Sequence, residues 1–220
     1  MYPVLGKPFL EYTMESLIRG VPEAARTGRL TFVMGHLGEQ IRAYFGDRFE
    51  GLRLEYITQS EPLGTGHAIH LAHAAQRYAD PVTIWLADSL HRSGLFYSIQ
   101  QSLYRHTLTL ARHVCEIRHN ERVDIVGDLV TRAWQGESPY VDIGLWRFGP
   151  ELLSGMIGSC ADEWRALLNV QSAIEKGAVV GAQISPEWIH LGGMEPSFER
   201  NVEEVTRFFL DFPDLERKEG

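Results

Sequence analysis

Hydrophobic residues in the first ninety positions change between helical and strand-like spacing. Apolar side chains recur every three or four positions from Glu11 to Ile18, which predicts an amphipathic helix. The nearly continuous apolar run Val82 to Ala87 predicts a strand covered on both faces. The units predicted for this half are the strands Leu30 to Met34, Leu52 to Gln59 and Val82 to Ala87 and the helices Glu11 to Ile18, Glu39 to Phe45 and His67 to Tyr78.

The second half shows a different pattern, in which strand-like runs follow one another with polar turns between them. It predicts mixed or antiparallel additions to the sheet. The predicted elements are the helix Phe96 to Tyr104, the strands Leu108 to Ile117, Asp124 to Trp134, Val141 to Phe148 and Val179 to Ile184, and the helices Pro150 to Ile157, Ala161 to Lys176 and Phe198 to Phe209. The whole pattern predicts one α/β domain over residues 1–220, built on a doubly wound, mostly parallel sheet.

Composition narrows the kind of protein and of ligand. The 220 residues are 44% hydrophobic, and a net charge of −8 argues against a nucleic-acid partner. A single nucleotide is still allowed, because backbone amides and one metal ion can hold it. No apolar stretch approaches the roughly 20 residues of a membrane span, and the first residues lack a secretory pattern. We expect a cytoplasmic protein without membrane contact, in which Cys115 and Cys160 are reduced.

Residues suited to ligand binding lie at the ends of two predicted strands. Gln59 ends one strand with an amide that donates and accepts, which suits the edge of uracil or thymine. Gly64 and Gly66 in the next loop let the backbone approach a ligand, and the helix that follows favours anions at its N-terminus. Asp88 directly follows the next strand, at the edge where such sheets bind ligands.

Several segments, in order, resemble a known family. They are P-V-L-G-K-P from Pro3, G-H-L-G-E-Q-I from Gly35, Y-I-T-Q ending at Gln59, P-L-G-T-G-H-A from Pro62 and the strand before Asp88. The sequence resembles the sugar-1-phosphate nucleotidyltransferases, including glucose-1-phosphate thymidylyltransferases and N-acetylglucosamine-1-phosphate uridylyltransferases. Weaker resemblance continues in V-D-I-G-L-W-R-F-G-P-E from Val141 and in W-I-H-L-G from Trp188.

The resemblance implies a Rossmann-like fold of the nucleotide-diphospho-sugar transferase type. It also implies a reaction in which the phosphate of a sugar 1-phosphate attacks the α-phosphorus of UTP or dTTP and expels pyrophosphate. By motif position it assigns nucleotide binding to Gln59, Gly64 and Thr65, sugar binding to Asp142 and Gly144, catalysis to Asp88, and the binding of Mg²⁺ to Asp88 and His190.

The sequence departs from the family pattern in three places. Family members begin with a strand and a G-G-x-G-T-R-L loop that cradles the triphosphate, and neither precedes the Met1 segment here. We therefore expect an N-terminally incomplete domain without its central first strand, with a partner or a second copy of the chain covering the gap. His190 stands where the family has a metal-binding Asp, and Asp142 replaces the usual Asn.

Three functions stay open from the sequence. The first is a nucleotidyltransferase, with weak or no activity in this chain alone. The second is an inactive pseudoenzyme or regulatory subunit that binds a nucleotide or an NDP-sugar. The third is a different α/β protein, such as a nucleotide-sugar-dependent glycosyltransferase. The sugar and the choice between uracil and thymine are also open.

Overall fold

A computed structural model of the chain describes residues 3–112, 122–156, 165–185, 189–190 and 206–207. The helices in these ranges are α1 (Phe9–Gly20), α2 (Pro22–Thr27), α3 (Gly38–Phe45), α4 (Thr65–Gln76), α5 (Ser93–Gln100), α6 (Pro150–Ser154) and α7 (Ala166–Glu175). The strands are β1 (Pro3–Val4), β2 (Lys7–Pro8), β3 (Arg29–Met34), β4 (Arg48–Phe49), β5 (Leu52–Thr58), β6 (Val82–Trp85), β7 (Ser89–Leu90), β8 (His106–Arg112), β9 (Asp124–Val126), β10 (Leu129–Arg132), β11 (Tyr140–Phe148), β12 (Val180–Ile184) and β13 (Ile189–His190).

The larger strands form two sheets. One has the order β3-β5-β4, and the other has the order β6-β11-β8-β12-β10-β9. β3 and β5 are parallel, as are β8 and β12, while β11 runs antiparallel to both β6 and β8. The sheets are therefore mixed, and antiparallel pairs dominate the second half as its sequence pattern predicts.

Two apolar clusters form the core. The α1 cluster combines α1 side chains with strand residues and α5, and its members include Leu10, Leu17, Leu30, Phe32 and Phe96. The α4 cluster joins α4 to the larger sheet and to α6 and α7, and its members include Ile69, Leu108, Trp146, Phe148 and Leu152. Trp85 of β6 packs against the α1 cluster, whereas its neighbour Ile84 packs against the α4 cluster. Successive strand residues point to opposite faces, so β6 lies between the two clusters.

Most predicted elements are found, with shifted ends, and two differ. The helix α2 is not among the predicted elements, and it begins at Pro22, a position that suits proline because its backbone N–H is not needed. The predicted strand Asp124 to Trp134 is instead the hairpin β9–β10, which turns at Gly127 with a φ of 61°. Much of the predicted helix Phe198 to Phe209 and both cysteines lie outside the described residues.

The exposure of β6 also differs from its pattern. Its apolar run predicts coverage on both faces, yet each of its four residues is only partly buried. The reason is that β6 is the end strand of its sheet, paired with β11 on one side among the described residues. Its other side opens on a cavity.

Among the described residues, no helix is long and apolar enough to cross a membrane.

Candidate active site

Gln59 and Asp88, the two predicted ligand-binding residues at strand ends, follow β5 and β6. β5 ends at Thr58 before Gln59, and β6 ends at Trp85 before the segment that reaches Asp88. The helix α4 connects β5 to β6, and these two strands belong to different sheets. Thr65 at the start of α4 and Ala87 before Asp88 line the same cavity. The start of α4 and the segment after β6 therefore border one cavity.

Gln59 holds its own loop in shape. Its side-chain nitrogen Nε2 donates to the carbonyl oxygen of Gly64 at 3.1 Å and lies 3.0 Å from Nδ1 of His67. A carbonyl oxygen can only accept, so it fixes which end of the amide is the nitrogen. The amide oxygen Oε1 is then the group of Gln59 that is suited to accept a hydrogen bond from a ligand.

Backbone geometry sets the start of α4. Gly64 has φ 100° and ψ −178°, a conformation that is essentially restricted to glycine. The hydroxyl of Thr65 accepts a hydrogen bond from the backbone N–H of Ala166 at 3.1 Å, which ties the beginnings of α4 and α7 together. Thr65 therefore has a structural bond at this position, and its contact with a nucleotide stays a prediction.

Two buried hydroxyls of α1 anchor the segment that carries Asp88. Thr13 is fully buried, and its Oγ1 donates to the backbone oxygen of Ser89 at 3.2 Å. Ser16 donates from its Oγ to the backbone oxygen of His91. Neither residue is predicted from the sequence to take part in the site. The available signal is that they interrupt the apolar face of a helix at a spacing of three, where an unpartnered hydroxyl would be unfavourable.

The predicted metal ligands Asp88 and His190 lie on adjoining segments. β13 pairs with β7 in a register that places His190 opposite Ser89, the residue after the half-buried Asp88. The part of the chain that the structure describes contains no cluster of three or more His, Cys, Asp or Glu side chains that could hold a metal ion. A single carboxylate still fits Mg²⁺, which usually takes one or two carboxylates and completes its shell with phosphates and water.

The hydroxyl of Ser89 is a second feature that favours a ligand site beside Asp88. It is buried and has no hydrogen-bond partner among the described residues. A buried hydroxyl without a partner is unfavourable unless water or a ligand satisfies it. The hydroxyl of Ser89, next to Asp88, can therefore form a hydrogen bond with water or with a polar group of a ligand.

Asp142 and Gly144 lie where the pairing of β11 is irregular. The carboxylate of Asp142 accepts from the indole N–H of Trp146 at 2.7 Å and from the backbone N–H of Gly144 at 3.3 Å. The β11–β8 register shifts between Asp142 and Trp146, which marks a β-bulge. Each of the two carboxylate oxygens of Asp142 accepts one of these bonds. The amide of an asparagine has only one oxygen, so it could not accept both bonds in the same way.

The bulge lies directly against the strand end that leads to Asp88. The backbone N–H of Leu86 donates to the oxygen of Gly144 at 2.8 Å. Gly144 has a φ of 73°, and a Cβ atom there would come within 2.8 Å of the side chain of Leu86. The predicted sugar-binding segment and the predicted catalytic segment are therefore in direct contact.

Comparisons with known proteins show what the chain is similar to. No family model matches the chain. It is similar to the low-salt glycan biosynthesis nucleotidyltransferase Agl11 of Haloferax volcanii, with 26% identity over 204 residues, which cover 86% of this chain and 54% of that protein. It is also similar to the D-glycero-alpha-D-manno-heptose 1-phosphate guanylyltransferase of Campylobacter jejuni, with 39% identity over 70 residues, or 31% of this chain and 29% of that one.

The sequence motifs and these relatives agree on one family. These relatives support the resemblance of the chain to sugar-1-phosphate nucleotidyltransferases. It spans about half the length of its first curated relative, at 54%. The similarity therefore concerns the sequence and the fold, and the activity of the whole protein is a separate proposal.

The fold matches that of a nucleotidyltransferase in a solved structure. A UDP-glucose pyrophosphorylase complexed with UDP-glucose superposes with a TM-score of 0.74 and 18% identity, over 96% of this chain and 90% of that one. The Rossmann-like, nucleotide-diphospho-sugar transferase fold expected from the sequence is thus confirmed. The individual assignments of Gln59, Asp88 and Asp142 stay predictions, now with defined geometry.

Proposed function

We propose that this chain binds a pyrimidine nucleoside triphosphate and a sugar 1-phosphate near the carboxyl ends of β5 and β6 and forms an NDP-sugar from them. A phosphate oxygen of the sugar phosphate attacks the α-phosphorus, and pyrophosphate leaves. The supporting observation is the hydrogen bond from Leu86 to Gly144, which joins the segment that carries Asp88 to the Asp142–Gly144 bulge. Thr65, which follows the loop held by Gln59, lines the same cavity as Ala87, which precedes Asp88.

Each segment has a task in this proposal. The Oε1 atom of Gln59 accepts a hydrogen bond from N3–H of uracil or thymine, because its Nε2 atom is bonded to Gly64. The Gly64 backbone and the start of α4 give the nucleotide a close approach. The backbone oxygen of Gly144, which accepts one bond from Leu86, uses its second lone pair to accept from a sugar hydroxyl, since the Asp142 carboxylate holds the bulge itself.

Asp88 is the residue that we propose holds Mg²⁺, with His190 as its neighbour across the β7–β13 pair. A bound Mg²⁺ ion would neutralise charge on the phosphates as pyrophosphate leaves. The half-buried carboxylate is held in place through the bonds that Thr13 and Ser16 make to its segment. Nucleoside triphosphates are cytoplasmic metabolites, so we place the reaction in the cytoplasm.

Pyrophosphate release from UTP or dTTP with glucose 1-phosphate tests the reaction. We expect Mg²⁺-dependent release that Asp88→Ala reduces by about a hundredfold or more, as loss of a charge-stabilising group does. Asp80→Ala is the matched control, because Asp80 is exposed and lies before β6 rather than after it. Activity that survives Asp88→Ala, or falls equally in both variants, would contradict the metal assignment.

Calorimetric titration with UDP-glucose and dTDP-glucose separates catalysis from binding. Saturable binding together with pyrophosphate release supports the enzyme. Binding without release would instead identify an inactive nucleotide-sugar-binding protein. Neither binding nor release would contradict the proposed site as a whole.

A further inference from the structure

Three arginines lie side by side across the smaller sheet. Arg53 of β5 pairs in register with Arg29 of the parallel strand β3 and with Arg48 of the antiparallel strand β4. Residues directly opposite each other on neighbouring strands project to the same face of a sheet, with Cβ atoms about 5 Å apart. The three side chains, which we name the arginine row, therefore form one line of positive charge across β3, β5 and β4.

The helix α2 brings a fourth arginine to the arginine row. Arg26, in the last turn of that helix, and the row together line a surface pocket of about 450 Å³. The other described residues that line this pocket are Gly28 and Gly51, and their lack of side chains keeps the space between the guanidinium groups open. The described lining thus carries four positive charges and no carboxylate.

The arginine row is electrostatically unfavourable by itself. Like charges directly opposite each other on neighbouring strands destabilise a sheet. Glu55, two positions after Arg53 on β5, lies 3.6 Å from Arg29 and 3.5 Å from Arg53, so one carboxylate is shared between two guanidinium groups. It also accepts from Nε2 of Gln76 at 2.6 Å. A shared carboxylate offsets only part of the repulsion, and a bound anion would offset more of it.

The guanidinium groups have donors to offer to such an anion. Each carries five N–H donors in a planar fork that matches the oxygens of a phosphate group. Arg48 donates from one of them to the backbone oxygen of Gly51 at 3.4 Å. Arg26 pairs with Glu23 at 3.2 Å, but the two side chains are 73% and 79% exposed, and ion pairs at such sites are weak. An anion of higher charge can therefore compete for these arginines.

The geometry points to a binding site at the arginine row for a small anion with two or three linked phosphate groups. The row spans two strand spacings, or about 10 Å, which is more than a single phosphate group can bridge. The chain has a net charge of −8, so four arginines around one pocket concentrate positive charge on an acidic protein. A polynucleotide would extend beyond the pocket onto that acidic surface, which favours a small phosphorylated ligand.

The arginine row lies away from the proposed nucleotide site. Arg29 is the first residue of β3 and Arg53 is the second of β5, whereas Gln59 follows the other end of β5. Arg53 and Gln59 are six positions apart, and extended chain rises about 3.3 Å per residue, so about 20 Å separates them. The row is a second site, and its occupancy does not require the proposed reaction.

Inorganic tripolyphosphate is the probe that tests the arginine row. In buffer with EDTA and without divalent metal, we expect saturable binding by isothermal titration calorimetry. Orthophosphate, which cannot bridge the row, should bind about tenfold more weakly or worse. No saturable binding, or equal affinities for the two anions, would overturn the inference. Pyrophosphate release needs Mg²⁺ in the proposed reaction, so each proposal can fail without the other.

Substitutions of Arg53 locate the binding. Arg53→Gln removes the central charge of the arginine row and should weaken tripolyphosphate binding about tenfold or more. Arg132→Gln is the matched control and should leave the affinity unchanged, because Arg132 is an exposed strand arginine of β10 in the other sheet. Arg53→Lys keeps the charge without the planar fork, so its affinity should lie between those of Arg53→Gln and the wild type. Equal affinities of Arg53→Gln and Arg132→Gln would contradict the assignment.

Chemical protection of the wild-type chain keeps the test decisive if Arg53→Gln does not fold. Phenylglyoxal modifies exposed guanidinium groups, and mass spectrometry locates the modified residues. Tripolyphosphate should slow the modification of Arg26, Arg48 and Arg53. Protection confined to other arginines would overturn the inference.

Two further measurements examine other occupants of the arginine row. We expect single-stranded RNA to bind more weakly than tripolyphosphate, and tighter binding that protects the same arginines would assign the row to a nucleic acid instead. The chain's own acidic residues Asp211, Asp214 and Glu216 are the other candidates. Replacing all three with their amides should leave the tripolyphosphate affinity unchanged. An increase of about tenfold or more would assign the row to that segment and would overturn the inference.

Discussion

At the residue scale, Gln59 shows how one side chain can serve both the loop and the ligand. Its nitrogen is bonded to Gly64, and its oxygen is the acceptor proposed for the base. Gln59→Glu keeps the shape but places a carboxylate oxygen against the Gly64 carbonyl oxygen, which repels it. We expect UDP-glucose to bind about tenfold more weakly or worse by calorimetry.

Gln40→Glu is the control for this change, because Gln40 is exposed on α3. It introduces the same charge without touching the loop and should leave the affinity unchanged. Tight binding by Gln59→Glu would contradict the proposed position of the base.

Gly144 is the residue whose replacement should most directly disturb the bulge. Alanine there is strained at φ 73° and also meets Leu86 at 2.8 Å. We expect Gly144→Ala to lower the free energy of unfolding by about 2–4 kcal/mol, measured by urea denaturation.

Two other glycines separate strain from clash. Gly177→Ala has φ 94° but nothing within 4 Å, so it should cost about 1 kcal/mol. Gly35→Ala has neither problem and should be close to neutral. If Gly144→Ala costs no more than Gly177→Ala, the contact with Leu86 is not restrictive.

At the element scale, the attachment of α1 to β7 holds the Asp88 segment. Thr13→Val keeps the shape of the side chain but leaves the buried oxygen of Ser89 without its donor. We expect a loss of about 1–3 kcal/mol in the free energy of unfolding. Thr131→Val removes a similar hydroxyl-to-carbonyl bond, to Asp124, at an exposed site and should cost less because water replaces the donor. Equal losses in the two variants would argue against a buried anchor.

The junction of β8 and α6 should make stability depend on pH. Burial lowers the pKa of His106 below its ordinary 6.5, and its Nδ1 accepts from the backbone N–H of Gly149. A hydrogen bond from Arg105 lowers the pKa of Glu151 from 4.5 to about 2. Both groups bind protons more readily when the chain is unfolded, so folding stability is full above pH 6.5 and falls as the pH decreases.

The pH effect divides into two windows. His106 contributes the loss that begins below pH 6.5. Glu151 contributes a further loss between pH 4.5 and about 2, which solvent screening weakens because its side chain is half exposed. His106→Gln should remove the first decline in urea midpoints, while His36→Gln, at an exposed turn, should keep it. A variant of His106 with an unchanged pH profile would contradict this source.

At the scale of the whole molecule, the sequence predicts the elements better than their relations. The positions of α1, β3, β5 and α4 follow from local periodicity, which a single sequence records. The bond between Gly144 and Leu86 depends on which strands become neighbours, and periodicity does not record that.

The same limit explains what the sequence missed in the candidate site. Gln59 and Asp88 could be proposed because they stand at strand ends inside recognisable motifs. Thr13 and Ser16 could not be assigned partners, since the oxygens that accept from them lie 76 and 75 positions away. The cavity that both β3 and β6 line likewise depends on how distant strands pack together, which local periodicity does not record.

The proposed site holds the nucleotide sugar and the metal ion together near the carboxyl ends of β5 and β6. A crystal structure with UDP-glucose and Mn²⁺ tests this most directly. Anomalous scattering from Mn²⁺ locates the metal site without relying on activity. We predict a peak at coordination distance from the carboxylate of Asp88, with the uracil ring hydrogen-bonded to Gln59 and the glucose beside Gly144. A ligand bound elsewhere, or an Mn²⁺ peak away from Asp88, would contradict the account.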